Sequence, residues 1–85
     1  MKKSLLRRRI ELATARTLVD VADRMERRAQ RTYDRRDKTD AADRDTWIEL
    51  NGEAMALSKY GARLRREGVK LGKKHGVTLE SLREK

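Results

Sequence analysis

The chain has 85 residues, 44% charged and 36% hydrophobic, with 23 Lys and Arg against 14 Asp and Glu for a net charge of +9. A chain of this order makes one domain at most and buries only about 60–65% of its unfolded surface, so its core is small or is shared with a second copy. Having no Cys excludes a disulfide framework and a thiolate metal site and makes the cytoplasm the expected location; no run approaches the ~18 apolar residues of a membrane span, and MKKSLLRRRIEL lacks the apolar core of an export signal, so no membrane partner is expected.

From Leu12 to Tyr33, the residues Leu12, Ala15, Leu18, Val19, Ala22, Met25, Ala29 and Tyr33 share one helical face. They predict a first helix over about residues 3–35. DRRDKTD holds neither Gly nor Pro and predicts a short turn at about 36–39. Beyond it, Trp47, Leu50, Ala54, Leu57, Gly61, Leu64, Gly68 and Leu71 alternate steps of three and four, a heptad seam that predicts a second helix over about 40–75. Asp40, Asp43 and Asp45 would lie at its positive end, and Gly76 would close it as a left-handed cap. Asn51-Gly52 is a turn signal inside this pattern, but the heptad runs through it without a change of phase. A short third helix is expected at about 79–84, with Thr78 as N-cap and Val77 and Leu82 as its staple.

Small residues every seventh position, at Ala15, Ala22 and Ala29 and again at Ala54, Gly61 and Gly68, let two backbones approach closely. A short loop makes the long helices antiparallel neighbours. A turn near residue 38 would set Met25 against Leu50, Ala22 against Ala54, Leu18 against Leu57 and Ala15 against Gly61. The pattern resembles the alanine-type antiparallel coiled coil in its packing. A second stripe remains: Leu5, Leu12, Val19 and Tyr33 beside the first seam, and Ile48, Met55, Ala62 and Val69 beside the second. These eight residues form a candidate protein interface, and the expected solution is a homodimer that closes a four-helix bundle. The alternative is a monomer whose C-terminal segment, with Val77, Leu79 and Leu82, folds back over the stripe.

Charge is unevenly placed. Residues 1–16 and residues 61–76 each carry six Lys or Arg against one Glu. In an antiparallel hairpin the two segments lie together, so Lys2, Lys3, Arg7, Arg8, Arg9, Arg63, Arg65, Arg66, Lys70, Lys73 and Lys74 would form one basic open end. Lys70, Lys73 and Lys74 suit a helix C-terminus, whereas the bases at the chain start oppose the helix dipole and have no such account.

Catalytic chemistry finds little material. His75 is the only histidine, and it falls where a helix end would satisfy it. Asp34, Asp37, Asp40, Asp43 and Asp45 lack the Gly and terminal Glu of a calcium loop and interleave with Arg35, Arg36, Lys38 and Arg44. Trp47 and Tyr33 fall near the turn, as a core plug or as an anchor for a protein partner. No catalytic, cofactor or metal residue is therefore expected, and the chain reads as a non-catalytic binding protein. The first expectation is that its basic end grips nucleic-acid phosphates with little sequence specificity. The alternative is a phage- or mobile-element-type regulator that docks on an acidic host protein surface, through the basic end or the second stripe.

Overall fold

From Lys2 to Asp37 the chain has no Gly and no Pro, and these 36 residues form one unbroken helix, α1. In the computed structural model, which describes residues 2–84, α1 is followed by α2 (Arg44–Lys74) and the short α3 (Leu79–Arg83). The two long helices pack side by side as a hairpin, giving a rod of 63 × 18 × 14 Å. Asn51-Gly52 lies inside α2 without interrupting it.

The turn is longer than 36–39 and is built from side chains. Thr39 Oγ1 donates to the Arg35 carbonyl at 2.9 Å, the Asp40 carboxylate accepts from the Ala42 amide at 3.0 Å, and Asp43 caps α2 by accepting from the Thr46 amide. Asp40 therefore belongs to an Asx-type turn and not to the helix, which starts four residues later than its acidic cluster suggests.

The longer turn shifts the register by one heptad. A Cβ placed on Gly61 would lie 3.3 Å from the Ala22 carbonyl oxygen, and one on Gly68 would lie 3.0 Å from that of Ala15. Gly61 thus faces Ala22 and not Ala15. The same step carries the pairing to Ala29 and Ala54, which are both buried. Both registers join small residues to small ones, but the observed one makes three such layers. The expected one makes two, with Ala29 left opposite Trp47 and Gly68 opposite Arg8.

Gly76, at φ +69°, ends α2. The Gly76 amide donates to the Lys73 carbonyl at 3.1 Å and the Val77 amide to that of Gly72 at 2.8 Å, the paired bonds of a Schellman motif. Thr78 then caps α3 by accepting from the Ser81 amide. This reversal lays α3 back along the hairpin. Leu82, 3% exposed, packs into a core of Leu12, Ala15 and Val19, flanked by Leu71, Val77 and Leu79. Leu12 and Val19 are consequently not available to a second chain, which corrects their place in the candidate interface. The folded-back C-terminal segment covers that part of the stripe because Gly76 reverses the chain there. Tyr33 and Val69 are half-buried, while Leu5, Ile48, Met55 and Ala62 stay exposed.

Candidate functional site

The hairpin sorts the eleven candidate cations into distinct environments. Arg65 points inward: it donates to both carboxylate oxygens of Glu26 and to Asp23 at 2.9 Å, and its side chain is 25% exposed. Its charged form is favoured by the Glu26 hydrogen bonds above all, then by Asp23. Arg83 also grips Asp23, through two hydrogen bonds of 2.9 and 3.0 Å, so this carboxylate ties α1 to α2 and α3. The Arg83 contact, with help from Arg65, holds the Asp23 carboxyl below its ordinary range. Lys74 is likewise taken up: its Nζ lies 3.0 Å from Glu11, which also meets the His75 ring at 3.0 Å. Those two contacts, Lys74 first, depress the Glu11 carboxyl. Arg65 is therefore a structural ion and not an open anion ligand, whereas Lys74, 57% exposed, makes only a surface ion pair with Glu11. The pairing follows from the register, which sets α2 beside Glu11, Asp23 and Glu26.

Arg7 lies 3.9 Å from Glu11 and stays largely in solvent. The side chains of Lys2 and Lys3 fall outside the described residues. Because Lys74 already reaches Glu11, the first turns of α1 extend past the end of α2, and Leu5, Leu6 and Ile10 are exposed there beside Arg8 and Arg9.

Four of the remaining candidates form a coherent feature with a fifth cation that segment-by-segment charge counting leaves out. Lys59, Arg63, Arg66, Lys70 and Lys73 are all exposed and step along α2 by four, three, four and three residues. They form a single row on the side of α2 opposite the Gly61–Gly68 seam. At 1.5 Å per residue the row is about 21 Å long. Among the described residues none of the five pairs with a carboxylate, Glu67 included. The heptad arithmetic that locates the seam locates this row equally well, half a turn away.

The row does little for the fold. Each pair of like charges three or four residues apart destabilises a helix by about 0.2–0.5 kcal/mol, so its four successive pairs cost about 1–2 kcal/mol at low salt, of which the spacing of Glu67 from Arg63 and Lys70 offsets about half. Only Lys73 and, at the edge, Lys70 recover part of this from the helix dipole, which acts over the last turn.

Exposed cations without an ion pair among the described residues also occur along α1, at Arg8, Arg9, Arg16, Arg27, Arg31 and Arg35, whereas the cleft and the turn region are mixed in charge or engaged. A cleft of about 520 Å³ between α1 and α3 is lined by Arg16, Asp20, Asp23, Arg27 and Arg83 among others, so both signs meet in it. Near the turn, the Arg36 guanidinium lies 4.7 Å from the Tyr33 ring centre and 5.2 Å from that of Trp47, and it donates to Asn51 at 2.7 Å. Trp47 is 40% exposed. The aromatic pair thus clasps an arginine across the two helices instead of plugging the core. No cluster of three or more potential metal ligands occurs among the described residues, and none of their helices is long and apolar enough to cross a membrane.

Comparison with known proteins finds no match among family models, curated proteins or solved structures.

Proposed function

We propose that the protein is a non-catalytic binder of nucleic-acid phosphates, with little sequence specificity, and that the outward row Lys59, Arg63, Arg66, Lys70 and Lys73 is its contact surface. The carrying observation is the alignment of these five exposed, unpaired cations on one face of α2, in a stretch where Arg65 alone turns inward to Glu26 and Asp23. Five phosphate contacts give log K a slope against log salt of about −3.5 for single strands to −4.5 for duplex, a loss of about 100- to 500-fold between 50 and 200 mM. Fluorescence anisotropy with mixed-sequence oligonucleotides tests this. An affinity that barely moves over that salt range refutes it, and so does a slope unchanged when Arg63, Arg66 and Lys70 are replaced together by Gln.

A second reading rests on a different surface. Ile48 and Met55 are 52% and 56% exposed on the outward side of α2, and Gly52 between them has nothing within 4 Å of where its Cβ would be. With Leu5 and Ala62 these residues would serve a second copy in a homodimer or an apolar face of a host protein. Light scattering across a dilution series separates the two: a persistent monomer refutes the homodimer.

A further inference from the structure

Tyr60 stands apart from the other aromatics. Tyr33 is half-buried and carries Arg36 against its ring, and Trp47 shares the same guanidinium. Tyr60 is 54% exposed, and among the described residues no guanidinium stacks on it and its hydroxyl makes no hydrogen bond. It lies beside the cationic row, where Lys59, Tyr60, Arg63 and Arg66 line one small depression on α2. An aromatic ring open to solvent among three unpaired cations contributes nothing to the core. An exposed aromatic ring beside cations supplies the two elements that single-strand sites combine, a stacking surface for a base and positive charge for the backbone.

From this juxtaposition we infer that Tyr60 is a base-stacking position and that the ligand of the row is an unpaired nucleic-acid strand. The inference rests on the phosphate-binding reading above and adds the class of strand. Bases inside a duplex are covered on both faces by their neighbours, so a single ring reaches one only after it is unstacked and flipped out. An unpaired base lies open to the ring at no such cost. The row itself supplies attraction to any phosphate backbone, and Tyr60 supplies the preference for a strand whose bases are free. The stacking interaction reads no base edge, which agrees with weak sequence specificity. Single-stranded DNA and RNA share this chemistry.

The test uses the full chain and its Tyr60→Ala and Tyr60→Phe variants, with labelled oligo(dT), oligo(rU) and a hairpin duplex of equal phosphate number. The wild type is expected to bind at least one single strand more tightly than the duplex, and the difference between the two single strands reports any contribution of the 2′-hydroxyl. Tyr60→Ala should weaken single-strand binding about 5- to 150-fold while leaving duplex binding and both salt slopes unchanged. Tyr60→Phe should retain the wild-type preference, since it keeps the ring and loses only the hydroxyl. Because Tyr60 is exposed, circular dichroism should show all three chains equally helical. Tyr60→Ala binding the single strands as the wild type does, with the salt dependence intact, overturns the stacking position and leaves the phosphate-binding reading standing. Equal losses on single strand and duplex overturn it too. Salt-independent or absent binding of every probe by the wild type overturns both.

Discussion

Replacing Gly68 by Ala tests the helix contact directly, with Gly52→Ala as its internal control. Both glycines are interior to α2, so each gains about 0.5–1 kcal/mol from the change in helix propensity. They differ in what the new methyl group meets. At Gly52 nothing lies within 4 Å. At Gly68 the Cβ would lie 2.9 Å from Val19 Cγ2, 3.0 Å from the Ala15 carbonyl oxygen and 3.3 Å from Leu18 Cβ. Val19 cannot turn away freely because it is itself fully buried, and the other two atoms are fixed to the α1 backbone. The helices must separate by several tenths of an ångström, an overpacking that costs about 1–3 kcal/mol. The propensity gain cancels in the comparison, so the two variants should differ by about 2 kcal/mol, or about 8–16 °C in Tm at this chain length. Thermal and urea unfolding followed by circular dichroism measures the difference. Gly61→Ala, with its closest approach at 3.3 Å, should fall between them. If Gly68→Ala stabilises as much as Gly52→Ala, the close backbone approach, and the register built on it, is wrong.

The neighbouring arginines should separate structure from binding. Arg65→Ala leaves Glu26 without its main partner and should cost about 1–3 kcal/mol, whereas Arg66→Ala should leave stability within about 0.5 kcal/mol and flatten the salt slope of nucleic-acid binding by about 0.7–0.9; matched urea titrations and anisotropy check both. Gly76→Ala places a Cβ on a residue at φ +69° and should destabilise by about 1 kcal/mol, seen first as loss of hydrogen-exchange protection in α3. The Asp23 carboxyl is depressed from an ordinary value of 3.8, so the folded form releases its proton more readily than the unfolded chain. Its contribution is complete above that ordinary value and is lost as pH falls through the depressed one. Asp23→Asn should therefore be less stable than the wild type at pH 7 and lose less on acidification to about pH 3, as urea midpoints at the two pH values would show.

Much of the hairpin was legible because its signals are local and periodic. The seam residues of both helices other than Trp47, the Gly76 stop and the Thr78 cap lie where spacing and capping chemistry put them; Trp47, expected to open the second seam, is 40% exposed and carries Arg36 instead. The limits of α2 were less legible, because Asp40, Asp43 and Asp45 suit a helix dipole and a turn equally well, and only Asp43 turned out to be the cap. The candidate site was half legible: Arg63, Arg66, Lys70 and Lys73 are exposed as expected, but Arg65 sits among them in sequence and faces the other way. Charge counted by segment does not see this, whereas charge placed by helical phase does, and phase also brings in Lys59 and Tyr60.

The amino-acid order thus determines which residues can meet, since a seven-residue alternation of small and large side chains admits only registers one heptad apart. It does not choose among them, because every heptad step preserves the local pattern. Tertiary structure makes that choice, through a turn closed by Asp and Thr side chains and through the gain of a third small layer. The charge map follows from the same decision. With α2 set beside Glu11, Asp23 and Glu26, Arg65 is turned inward onto carboxylates, Lys74 pairs with Glu11 at the surface, and α3 is pinned over Leu12 and Val19. What remains open on the far side of α2 is a row of cations with a tyrosine beside it.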